Sequence, residues 1–206
     1  MRRALTVGVT TAAALLTPGL AHAHLVVTGM GPVYDGVTHF ALSPEDSLPV
    51  VALAFYAGLR GPQQSRMLLG VLPLAWFAGG LASSLSGMSL PPTVLPTATA
   101  LLFLSIGGLL ASNLELSPRQ CALAAIALGL IRGAADLAGA PATGSSVLDL
   151  FGMCVSAFAL FALAVSVTLP LQRFWMIVAA RVAGGWVAAA GLLLAGWIIR
   201  FGAKVQ

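Results

Sequence analysis

VLDLFGMCVSAFALFALAVSVTL, residues Val147 to Leu169, holds a single charged residue, Asp149, in a run long enough to cross a bilayer as a helix. Lipid cannot hydrogen-bond a backbone, so a spanning segment must be a helix or a strand of a closed barrel. Barrel strands need only ~10 residues of alternating polarity, and nothing in this stretch alternates. It reads as a transmembrane helix, and the rest of the chain repeats its character. The 206 residues are 59% hydrophobic and 8% charged, with a mean hydropathy of +0.98. A soluble domain carries about 25% charged residues. So few charges cannot disperse so apolar a chain in water, and the membrane is its solvent.

Working outward, five further apolar segments fit the same reading: Pro44–Leu59, Met67–Leu85, Val94–Ser112, Arg119–Ala138 and Val182–Ile199. Residues 1–23 have the three parts of a cleavable secretory signal: Arg2 and Arg3, an apolar stretch from Ala4 to Leu16, and Ala21-His22-Ala23 as a small-x-small site. The expected architecture is all-α, a polytopic membrane helix bundle of about six transmembrane helices after that signal peptide. Residues 24–206 then form a single transmembrane domain. His24 to Ser43 is too polar to span and reads as a short segment lying on or dipping into the outer face.

Basic residues set the orientation. Arg60 and Arg66 follow the first span, Arg119 the third, and Arg173 with Arg181 the fifth, while the two other connections, 87–93 and 139–146, carry none. The positive-inside rule places the arginine loops in the cytoplasm, which puts His24 on the outer face of a bacterial inner membrane, as an export signal requires. Arg200 and Lys204 then fall outside, against the rule. The formal charge of +4 comes from residues scattered at segment ends rather than from a basic cluster able to track phosphates. The partner it implies is membrane lipid and not nucleic acid. Cys121 and Cys154 lie in different apolar segments and read as packing residues.

The densest polar constellation lies before and within the start of the first span. It holds His24, Asp35, His39, Glu45 and Asp46. Asp35 and His39 are four apart, so one helical turn brings them to one face. Imidazole with carboxylate suits divalent ions such as nickel, cobalt or zinc, and His24, if freed by cleavage, adds an amine that binds only when deprotonated. Candidate metal ligands are therefore His24, Asp35, His39 and Asp46. A structural reading competes for the acids. Ser43-Pro44-Glu45-Asp46 is a helix start, and Ser146 to Asp149 matches a capping box.

Arg132 and Asp136 are four apart inside the fourth span. Charges at membrane depth are costly and face a bundle interior or a water cavity, so the two form either a clamp between helices or part of a translocation path. Gly79-Gly80, Gly107-Gly108 and Gly184-Gly185 mark close helix packing. Ser43-Pro44 recurs as Ser117-Pro118, and Leu59-Arg60-Gly61 as Ile131-Arg132-Gly133. With three helices per unit, two such halves would be inverted.

The stretch HLVVTGMGPVYDGVTHFALSPEDSLPVVALAFYAGLRG, His24 to Gly61, resembles the HupE/UreJ family of hydrogenase and urease accessory membrane proteins. That family has a signal peptide, about six spans and a motif of His-Pro, a short spacer and Asp-His opening the first span. His39 matches the first histidine and Asp46 the aspartate. Phe40 stands in place of the proline and Ser47 in place of the second histidine. Members are regarded as nickel or cobalt permeases. The resemblance therefore implies a transporter of a divalent transition metal, with the ion as substrate and no resident cofactor, and metalloenzyme maturation proteins as partners. Its rival is a non-transporting accessory protein that binds metal or docks a periplasmic partner. An enzyme is disfavoured: all three histidines precede the first span, no later serine has a histidine at membrane depth, and HExxH is absent.

Overall fold

The computed structural model describes residues 29–87, 93–139, 143–170 and 174–201. The proposed signal peptide and His24 lie outside the described residues, as do Arg173 and Lys204. Among the described residues there are seven helices: α1 (Pro32–Leu42), α2 (Pro44–Arg60), α3 (Pro62–Ser86), α4 (Val94–Ser112), α5 (Pro118–Asp136), α6 (Gly144–Thr168) and α7 (Phe174–Phe201). Four of them, α3, α4, α6 and α7, are long and apolar enough to cross a membrane.

Helix starts follow local chemistry. Ser43 and Ser117 each precede a proline at the first helical position, whose missing N–H would be unpaired there anyway. Ser117 completes a capping box with Gln120. The capping expected at Ser146 lies instead one turn earlier: Thr143 is the N-cap and its hydroxyl accepts from the Ser146 N–H at 3.3 Å, leaving Asp149 inside the helix. Several helices also outrun their apolar segments. α3 begins at Pro62 rather than Met67, and α7 at Phe174 rather than Val182. Hydropathy marks the part of a helix that meets lipid, whereas backbone hydrogen bonding continues into polar turns. α2 and α3 are joined through Gly61 alone, at φ 104°, a conformation that a side chain would strain.

α2 is the hub, packed against every other described helix. Val50, Leu53, Ala54, Tyr56 and Ala57 are fully buried, so this 17-residue helix sees mostly protein rather than lipid. The closest pairs are α3 with α5, α4 with α7, and α1 with α6. Glycines make each possible. A Cβ on Gly133 would strike the Trp76 carbonyl, one on Gly107 the Ala188 amide, and one on Gly36 the Asp149 carbonyl. Of the expected glycine pairs, Gly79, Gly80, Gly107 and Gly184 sit at contacts, whereas Gly108 and Gly185 face open space. α3 and α5 run parallel, with Gln64 near Cys121 and Trp76 against Gly133. α7 is the most peripheral helix, exposing Trp186, Leu193 and Ile199.

Candidate metal centre

The core of α5 is a stripe of Cys121, Ala125, Leu128, Gly129, Arg132 and Gly133, while Leu123, Leu130 and Ile131 point outward. Helical periodicity thus carries Arg132 inward, and Asp136 follows one turn on. The lack of a side chain at Gly129 and Gly133 lets α5 lie against the α3 backbone at Leu72 and Trp76. That contact sets Asp136 beside Trp76, whose indole Nε1–H donates to Asp136 Oδ2 at 2.9 Å. Phe40, from α1, meets the Trp76 ring edge-on at 5.6 Å between centroids. This is the residue that stands where the related motif has proline.

Asp46 comes from the first turn of α2 and is fully buried. Its Oδ1 accepts from Arg132 Nε at 2.6 Å and also contacts Nη2. Nη2 lies 3.6 Å from Asp136 Oδ1, and Nη1 donates to Thr99 Oγ1, in the second turn of α4, at 3.1 Å. Asp46 Oδ2 is buried with no hydrogen-bond partner among the described residues. His39, Asp46 and Asp136 each offer a ligand atom, and these atoms all lie within 4.8 Å of one another. Three helices therefore converge on one point: α1 gives the imidazole, α2 and α5 the carboxylates. The donor set suits a borderline divalent ion, and the unpartnered oxygen is a buried acceptor of the kind that native structures rarely leave unsatisfied.

Of the expected ligands, the fold joins His39 and Asp46 and brings in Asp136, which the sequence pairs with Arg132 as a helix clamp or part of a translocation path. Asp35 shares α1 with His39 but lies outside that group, and Glu45 is exposed and also outside it. Trp76 and Thr99 were not foreseen, since neither belongs to a motif. Arg132 does face Asp136, but its closest partner is Asp46, 86 residues away.

At the opposite end of α2, about 21 Å away at 1.5 Å per residue, Arg60 binds the turn that opens α5. It donates to Asn113 O at 2.6 Å and Leu114 O at 2.8 Å, and pairs with Glu115 at 3.2 Å. The Tyr56 hydroxyl donates to Leu114 O at 2.8 Å and accepts from Leu116 N at 3.0 Å. Arg181 donates to Ala111 O at 2.8 Å. Each arginine near the C-terminal end of one Ser-Pro helix thus holds the N-terminal end of the other, an inverted pairing of the two recurring segments.

Buried, connected charges at one end of a bundle with lipid-compatible helices define a polytopic helical membrane protein with an internal candidate metal centre. Comparison with known proteins gives the family. The model of the HupE / UreJ protein family matches residues 12–194, and the chain belongs to that family. It is 30% identical over 190 residues to Protein HupE of Rhizobium leguminosarum bv. viciae, covering 90% of this chain and 95% of the relative. No solved structure matches the chain.

Proposed function

We propose that this protein is an inner-membrane permease for a divalent transition-metal ion, nickel or cobalt, captured from the outer face. The observation that carries the reading is the convergence of His39, Asp46 and Asp136 within 4.8 Å at one end of the bundle, with Asp46 fully buried. We infer that α2 and α5 complete six spans, the charges of Asp46, Arg132 and Asp136 being tolerated because they face protein. The signal peptide of residues 1–23 is removed, leaving His24 outside as a collecting ligand. The ends of the bundle support this orientation: the carboxylate centre is at one end, and Arg60, Arg66, Arg119 and Arg181 are at the other, which the positive-inside rule assigns to the cytoplasm.

Asp35, beside His39 on α1, draws the ion toward the bundle. His39, Asp46 and Asp136 replace part of its water shell. The described residues contain no phosphate-binding loop, so the membrane potential is the natural source of energy. An inward-moving charge of +2 gains about 4.6 kcal/mol per 100 mV, twice the value for a unit charge. The test is uptake of nickel, cobalt, zinc and copper by cells expressing the chain or its His39→Ala variant. Accumulation of nickel or cobalt that vanishes in the variant is the expected result. No uptake of any ion, with the protein present in the membrane, refutes the permease and favours the non-transporting accessory role.

A further inference from the structure

The guanidinium of Arg132 occupies the place where a captured ion would need its ligands. It contacts both carboxylates of the candidate centre, Asp46 directly and Asp136 at 3.6 Å. All three of its nitrogens are engaged, the third by Thr99. Its side chain is 7% exposed, so its charge is poorly screened by water. Two carboxylates and one guanidinium carry a formal charge of minus one between them, too little to neutralise a divalent ion. Yet Asp46 keeps one oxygen without a partner among the described residues, and His39 has no part in the ion-pair contacts. The centre is therefore half committed to an internal cation and half open.

We infer that Arg132 is a tethered cation that competes with the transported metal for Asp46 and Asp136. The inference rests on the metal-binding reading above and assigns Arg132 a role in it, as a residue that sets affinity rather than a ligand. When the site is empty, the guanidinium holds the two carboxylates and keeps α2, α4 and α5 together. An arriving ion takes Asp46 Oδ2, His39 and Asp136, while Thr99 retains Nη1 and keeps the arginine nearby. Return of the guanidinium to the carboxylates then helps expel the ion. A site built only of His39, Asp46 and Asp136 would bind more tightly and release more slowly.

The experiment measures nickel and cobalt binding by titration calorimetry on the full chain in detergent, comparing wild type, Arg132→Gln, Arg132→Lys and Arg132→Ala. Removing the fixed charge in Arg132→Gln is expected to tighten binding about tenfold or more, and Arg132→Lys to stay near wild type. Millimolar guanidinium, set against sodium at equal ionic strength, is expected to weaken binding by Arg132→Ala and not by wild type. A structural clamp gives the opposite sign, because losing it disorders the site. Equal or weaker binding by Arg132→Gln, with wild type binding normally, overturns this inference and leaves the permease reading standing. No binding by any of the four proteins overturns both. Should the neutral variants fail to fold, arginine side-chain NMR on isotope-labelled wild type decides: zinc is expected to shift the Arg132 Nε–H resonance, and an unmoved resonance in zinc-loaded protein overturns the inference.

Discussion

Replacing Asp46 by alanine separates the electrostatic account of the bundle from a purely apolar one. In the wild type the Asp46 and Arg132 side chains are 1% and 7% exposed and bonded through Nε and Nη2. Removing one partner of a buried pair costs about 3–5 kcal/mol, because the other charge stays buried. Asp136 remains at 3.6 Å as a partial counter-ion, so the loss should fall near the low end, about 3 kcal/mol. For a chain of this length each kcal/mol moves the melting temperature by about 2–4 °C, giving a fall of roughly 6–12 °C. The Arg132→Ala change should cost more, since it strands two carboxylates. The double variant should then recover about 2 kcal/mol relative to the sum of the singles. The assay is thermal unfolding in detergent micelles with chelator present, so that bound metal does not mask the loss. A melting temperature for Asp46→Ala unchanged from wild type, or strict additivity in the double variant, would refute the coupling.

Three further outcomes follow from the packing. Gly133→Val drives a side chain into the Trp76 carbonyl and should abolish folded protein in the membrane, whereas Gly185→Ala, which faces open space, should express normally; membrane fractionation with size-exclusion chromatography compares them. Tyr56→Phe removes hydrogen bonds to Leu114 and Leu116; Leu114 O keeps Arg60 as a donor while the part-buried Leu116 N–H loses the hydroxyl, at a cost of about 1 kcal/mol, read as a lower melting temperature. Trp76→Phe keeps the ring against Phe40 but deletes the donor to Asp136 Oδ2. It should change metal affinity more than stability, seen by comparing titrations with melting curves.

Much of the helical framework was legible because its signals are local. Ser43-Pro44 and Ser117-Pro118 mark helix starts, since a cap and a proline act within one turn. Asp149 misled because its spacing from Ser146 imitates a capping box, while Thr143 three residues earlier makes the bond. The candidate centre was half legible. His39 and Asp46 are close in sequence and could be grouped. Asp136 could be seen as costly at membrane depth, but its neighbours could not be named. Its approach to Asp46 depends on α5 lying against α3 through Gly129 and Gly133, a contact between segments more than 50 residues apart. Periodicity says which face of a helix turns inward and is silent on what it meets there. The same holds for Arg60 and Arg181, which read as orientation signals and also tie down the turn between α4 and α5 and the last turn of α4, respectively.

The most direct measurement is nickel-edge X-ray absorption on nickel-loaded protein, wild type against His39→Ala and Asp136→Asn. The account predicts a spectrum of oxygen ligands with one imidazole, loss of the imidazole signature in His39→Ala, and reduced nickel content in Asp136→Asn. A wild type that retains no nickel, or spectra and content unchanged in both variants, would contradict a metal centre built from these residues.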